Sequence, residues 1–308
     1  MRRVAWVVVV VLAVAALAVP AWGPAVAQPA TVPTPDFDHD GFGDLAVGVP
    51  SEDVGGAAAA GAVAVLYGSG DGLASDGRVL TQGAGGLPGA SEASDRFGAA
   101  LVAGRFNGDT YDDLAVGVPG ETVGGRAGAV SLVLAGDSGF TGAGGQLFHQ
   151  GAGGVPGTAE AGDGFGTAVA VGAFSGGGNA LAVGVPGEDV GTAADAGVLD
   201  VLHNSGTGLG GGGRQQLTQA GAGGAVEPGD RFGAVLSAPF FHGTDVLEDL
   251  GAGAPGETVA GRAAAGAGSV LFGGGGGLGA GGSQFLHQGI GGLGGAPEAG
   301  DGFGAALS

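Results

Sequence analysis

Of the 308 residues, 77 are Gly and 14 are Pro, roughly 30 % together, which is the range of low-complexity polymers. Yet 44 % of the chain is apolar, which is material for a core; no Gly-X-Y register holds, which excludes collagen, and Gly costs about 1 kcal/mol in a helix interior, which excludes a helical bundle. All nine basic residues are Arg, and the net charge of −20 repels nucleic acid and suits cation binding, while the absence of Cys removes disulfides, thiolate metal sites and Cys nucleophiles.

In chain order, Arg2 and Arg3 precede an apolar run from Val4 to Val19, and Ala25-Val26-Ala27 forms a small-x-small cleavage site. Residues 1–27 therefore read as a secretory signal peptide, with a retained N-terminal anchor as the alternative. Either way the rest of the chain is expected to be secreted, extracellular or at the cell surface. No second apolar segment is long enough to span a membrane.

Next comes DFDHDGFGD, Asp36 to Asp44. Asp36, Asp38, Asp40 and Asp44 occupy positions 1, 3, 5 and 9. Gly41 permits a sharp turn, and the Phe42 carbonyl can face inward. Four carboxylates, one carbonyl and water meet the demand of Ca2+ for six to eight oxygens; without a cation the carboxylates repel one another. The competing reading is a solvated acidic turn. An EF-hand fits less well, because no Glu stands at position 12 and strands flank the loop.

The loop opens a repeat. Gly-Val-Pro followed by Glu recurs at Gly48 (Glu52), Gly117 (Glu121) and Gly184 (Glu188), and returns as Gly253-Ala254-Pro255 (Glu257). A second landmark is Phe-Gly with Asp two before and Glu five before the Phe, at Phe97, Phe165, Phe232 and Phe303. A third is Gln82, Gln150, Gln219 and Gln288. Each cycle reads as four short strands, in the second cycle about 96–106, 113–119, 128–136 and 145–150. Continuous apolar runs such as Leu45-Ala46-Val47 suit strands buried on both faces. Four-stranded units in series imply an all-β propeller of four-stranded antiparallel blades, about four in this chain. The repeats run about 36–93, 94–161, 162–228 and 229–299 within a domain of 28–308. Residues 300–308 read as a closing strand, with Phe303 to Ser308 expected to pair with Asp44 to Pro50.

This cycle resembles the FG-GAP repeat of integrin α-subunit propellers and their bacterial relatives, over roughly Asp36 to Ser308. The resemblance implies blades that carry calcium in a hairpin loop and a domain that serves adhesion and ligand binding. It supports Asp36, Asp38, Asp40, Phe42 (carbonyl) and Asp44 as Ca2+ ligands. The full propeller of that family usually has seven blades, whereas four cycles are counted here.

The matching loop of cycle two is RFNGDTYDD, with Arg105, Asn107, Asp109, Tyr111 and Asp113 at the ligand positions. It is expected to be a weaker site, its Arg105 guanidinium standing for the metal by pairing with Asp109 or Asp113, or else swinging to solvent. Cycle three (Ala173, Ser175, Gly177, Ala180) is one residue shorter and has no carboxylate. Cycle four keeps Asp245 and Asp249. The GDSG string at Gly136 imitates a serine protease, but the same turn recurs without Ser in other cycles. His149 and His287 alternate with Thr and read as strand-surface residues. Glu92, Glu160, Glu227 and Glu298, with Asp95, Asp163, Asp230 and Asp301, repeat in every cycle and read as loop structure, the Asp side chains accepting backbone N–H bonds. The expectation is an exported, calcium-binding, non-catalytic propeller for an extracellular protein or glycan ligand. The alternative is a propeller or accessory part of a secreted hydrolase.

Overall fold

The structure is a computed structural model that describes residues 34–308 apart from 76, 124, 153, 205, 211–213, 242–246, 280 and 291–292. The signal-peptide reading of 1–27 and the loop position of Asp245 lie outside the described residues. Among the described residues the chain is all-β apart from one short 3-10 turn, Gln219–Ala222. Blade 1 holds β1 (Leu45–Val49), β2 (Ala62–Leu66) and β3 (Arg78–Leu80). Blade 2 holds β4 (Ala100–Gly104), β5 (Asp113–Val118), β6 (Ala129–Val133) and β7 (Gln146–Phe148). Blade 3 holds β8 (Ala168–Gly172), β9 (Ala180–Val185), β10 (Val198–His203) and β11 (Gln215–Thr218). Blade 4 holds β12 (Val235–Ser237), β13 (Leu250–Ala254), β14 (Ala267–Leu271) and β15 (Ser283–Leu286). Each blade is an antiparallel sheet with its strands in chain order, as a β-propeller requires.

Successive blades pack face to face, so the apolar runs are spent on both sides. On β6, Val130 and Leu132 face blade 3, and Ala129 and Val133 face blade 1. On β10, Val198 and Leu202 face blade 2, and Leu199 and Val201 face blade 4. Each such Val or Leu side chain contributes about 1.5–3 kcal/mol on burial, so much of the stability resides between blades.

The Phe-Gly landmark is the stitch between blades. The N–H groups of Phe97, Phe165, Phe232 and Phe303 donate to Ala60, Ala127, Ala196 and Ala265 of the preceding blade at 2.8–2.9 Å. The N–H groups of Gly98, Gly166 and Gly233 donate to Gly117, Gly184 and Gly253 of their own blade at 3.0–3.1 Å. The first Gly of Gly-Val-Pro meets the carbonyl of the next Phe-Gly, so a Cβ at Gly48, Gly117, Gly184 or Gly253 would overlap Gly98, Gly166, Gly233 or Gly304. Two glycine landmarks therefore recur at fixed spacing because two backbones touch there.

The third landmark crosses the same joint. The Gln82 amide donates to Glu121, Gln150 Nε2 to Glu188 Oε2 at 2.7 Å, and Gln219 Nε2 to Glu257 Oε2 at 2.5 Å. Each pair joins the segment just after the last strand of one blade to the Gly-Val-Pro or Gly-Ala-Pro corner of the next.

The expected closing pair is a correction. Phe303 bridges Gly266 of blade 4, and among the described residues β1 pairs with β2 alone and residues 305–308 form no strand. The reason is the stitch: Phe303-Gly304 docks on blade 4 as the other Phe-Gly pairs dock on their preceding blades.

Candidate metal centre

Asp36, Asp38 and Asp40 each offer a carboxylate oxygen within 4.8 Å of the others. The loop turns through positive φ at His39 and Gly41, and its N–H groups point at the acids. Asp40 N donates to Asp36 Oδ1 at 3.1 Å, Gly41 N to Asp36 Oδ2 at 3.0 Å and Phe42 N to Asp40 Oδ1 at 2.8 Å. Burial, then the neighbouring Asp40 charge, pushes the Asp38 carboxyl up. Hard oxygens on one flexible loop form a donor set that fits Ca2+. The Phe42 ring is exposed.

Asp44 has a different place. It is buried, its Oδ2 accepting Phe37 N at 2.6 Å and its Oδ1 accepting Gly68 N at 2.7 Å. It lies outside the cluster of three and pins the loop to the chain beyond β2. Burial raises its pKa, and these two N–H groups oppose the rise. The same anchor recurs: Asp113 accepts from Phe106 and Ala135 at 2.9 and 3.0 Å, and Asp249 from Phe241 and Gly273 at 2.8 and 3.0 Å.

The second loop closes on itself. Asn107 Nδ2 donates to Asp109 Oδ2 at 2.7 Å, Asp109 N to Asn107 Oδ1 at 3.1 Å and Tyr111 N to Asp109 Oδ1 at 3.0 Å, while the Tyr111 hydroxyl donates to Asp137. Arg105 pairs with neither Asp109 nor Asp113. Its Nε donates to Asp112 Oδ1 at 3.1 Å. The two expected partners are already engaged, Asp113 by backbone and Asp109 by its own turn, so Asp112 takes the guanidinium. The third loop has no carboxylate to offer, as its sequence implies.

The recurrent acids elsewhere are structural, as expected. Asp95, Asp163, Asp230 and Asp301 accept the N–H groups of Glu92, Glu160, Glu227 and Glu298 at 2.5–2.9 Å. His149 and His287 each place Nδ1 2.9 and 2.7 Å from the next residue's carbonyl. What sequence reasoning missed is a set of residues at the exit of the second, third and fourth loops: Asp112, Asn179 and Glu248, at the position just before the last, position 8 of the nine-residue loop. Their varied chemistry hid the shared position.

The FG-GAP repeat family matches at residues 29–66 and 97–133. Phosphatidylinositol-glycan-specific phospholipase D of Bos taurus is 39 % identical over 84 residues, and that of Rattus norvegicus 40 % over 84. The matched stretch is 27 % of this chain and spans only 10 % of the length of those relatives. The two matched segments coincide with the Asp36–Asp44 loop with β1 and β2, and with the Phe-Gly stitch with β4 to β6. The stitch geometry repeats in the cycles beyond them, and so this chain is one that carries FG-GAP repeats, folded as a β-propeller of about four blades.

Proposed function

We propose that this chain is an exported, calcium-binding FG-GAP propeller that serves as a non-catalytic adhesion or ligand-binding scaffold for an extracellular protein or glycan. The observation that carries this reading is the convergence of Asp36, Asp38 and Asp40 on one loop. Those three would hold Ca2+, with the Phe42 carbonyl and water supplying further oxygens and Asp44 beside them as anchor. The ion would supply charge neutralisation and loop rigidity. The chain's own residues position the loop: Asp44 fixes it to blade 1, and Asp36 and Asp112 tie it to blade 2 through Asp36 N to Asp112 Oδ2 at 3.0 Å and Asp112 N to Asp36 O at 3.3 Å.

The name of the relatives favours a second reading, in which the propeller is the accessory part of a secreted hydrolase. The purified chain distinguishes the two. A scaffold is retained on cell or matrix surfaces in Ca2+, is released by a chelator, and shows no phosphodiester or ester hydrolysis in its own right. Hydrolysis that survives repurification, or retention indifferent to Ca2+ and to Asp40→Ala, overturns the first reading.

A further inference from the structure

Two of the three blade joints are fastened beside the loops by one clasp. The N–H of loop position 1 donates to a position-8 carboxylate of the next repeat, Asp36 to Asp112 at 3.0 Å and Ala173 to Glu248 Oε2 at 2.6 Å. The position-8 N–H returns a bond, Asp112 to the Asp36 carbonyl at 3.3 Å and Glu248 to the Ala173 carbonyl at 3.1 Å. The joint between blades 2 and 3 has Arg105 and Asn179 at these positions, and no hydrogen bond joins them among the described residues. The third loop is one residue short, an amide replaces the carboxylate, and the Arg105 carbonyl is taken instead by Asn204 Nδ2 at 3.2 Å.

A cavity of about 340 Å³ lies at this open joint, lined by Arg105, Asp112, Asn179 and Glu248 with Val171 and Gly172 beside them. The Arg105 side chain bonds Asp112 through Nε alone and is 53 % exposed, so its two Nη groups remain available as donors. Glu248 uses Oε2 for the Ala173 N–H, and its Oε1 has no partner among the described residues. Donors and a carboxylate oxygen thus line one small space, contributed by blades 2, 3 and 4.

We propose that this cavity binds a small zwitterion of the α-amino-acid class. The ligand carboxylate sits on the Arg105 Nη groups and the Asn179 amide, and the ammonium on Glu248. A simple anion would meet Asp112, Glu248 and a chain of net charge −20. A simple cation would leave the Arg fork unmatched, and forked pairing with a carboxylate is the strongest bond this lining can make. The volume lies in the range of small-molecule sites. The proposal does not depend on calcium.

Calorimetric titration of the full chain, with calcium and with chelator, tests it. The probes are glycine, L-alanine and L-serine, against acetate and ethylammonium as single-charge fragments. One amino acid per chain is expected to bind, with each fragment at least about tenfold weaker. Asn179→Asp supplies the missing carboxylate, so it is expected to close the clasp and abolish binding without lowering the melting temperature. Arg105→Met and Glu248→Gln, the latter still able to accept the Ala173 N–H, each weaken binding at least about tenfold. If Asn179→Asp does not fold, Arg105→Met decides. Absence of binding by all three amino acids, acetate binding as tightly as glycine, or unchanged binding in folded Asn179→Asp or Arg105→Met overturns the proposal.

Discussion

Acidic side chains crowd together in two kinds of place, the first loop at the rim of blade 1 and the buried joints between blades. In the loop, Asp36, Asp38 and Asp40 are partly exposed and meet only backbone N–H groups. At the joints, Glu121, Glu188 and Glu257 are held by a Gln amide from the neighbouring blade and stand near Asp95, Asp163 and Asp230. Burial, with the neighbouring Asp230 charge, pushes Glu257 up to about 7, and burial foremost pushes Asp95 and Asp163 up to about 6. The difference teaches how a protein of net charge −20 tolerates its acids: where water reaches them a cation can neutralise the cluster, and where it does not an amide and a proton take over.

The largest effect should come from the loop. On the proposed reading Ca2+ binds the folded loop and not the unfolded one, so a hundredfold excess over Kd should add about 2.7 kcal/mol of stability. Titration of the wild type should show one strong site, and Asp40→Ala should remove it. Arg105→Asp places a carboxylate at the first position of loop 2 beside Asn107 and Asp109 and should add a second, weaker site. A wild type with two sites of similar affinity would break the distinction drawn between the loops.

At the joints the Gln amide is the one to remove. Gln219→Leu leaves the Glu257 carboxylate without its side-chain donor, and the loss of a buried partner costs about 1–3 kcal/mol. Chemical denaturation at pH 8 should show this loss, and Glu257→Gln in the same background should recover part of it, since no charge then needs the donor. Equal stability of Gln219→Leu and wild type would show that the joint rests on apolar packing alone.

Much of this was legible in the sequence because the constraints are local or repeated. The Phe-Gly and Gly-Val-Pro glycines mark close backbone contacts, so their spacing gave the period and the blade count. The Asp36 loop could be read because its ligand positions alternate along one short segment. The Gln82, Gln150, Gln219 and Gln288 series was visible as a landmark, but the partners of the first three lie 38 or 39 residues ahead in the next blade, and only the stacking of blades brings them together. Arg105 was recognised as the odd residue of loop 2, yet its partner was not. The choice of Asp112 depends on which carboxylates the backbone has already claimed, which no spacing rule encodes. The Asp112–Asn179–Glu248 positions were invisible for a further reason: three different side chains, in loops of three different lengths, do not look like a motif.

The smallest effect, and the finest test of the comparison, is at Asp200 on β10. Its side chain is fully buried at the interface with blade 2, in the place where Ser131 and Ser269 stand in the neighbouring blades. Neither carboxyl oxygen reaches a close hydrogen-bond partner among the described residues. Burial pushes its pKa up to about 7, the Gln216 amide opposite works against the rise, and the Glu188 charge adds to it. The folded-state pKa is thus above the unfolded value, and the folded protein takes up a proton before the unfolded chain does. Stability should therefore rise as pH falls from about 8 through about 7 and level off near the ordinary carboxylate range, with Glu257, Asp95 and Asp163 adding to the same trend. Asp200→Asn removes the charge while keeping the shape. At pH 8 it should stabilise by about 1 kcal/mol, less than the whole burial cost because the amide is still polar, and this should raise Tm by about 2–4 °C. At pH 5 the variant and wild type should converge. Melting curves across this range, taken in chelator so that the Asp36–Asp44 loop carries no cation, give the answer. A variant less stable than wild type at pH 8 would mean that the Asp200 carboxylate is satisfied in the folded protein, and the joint would then resemble the loop more than the contrast allows.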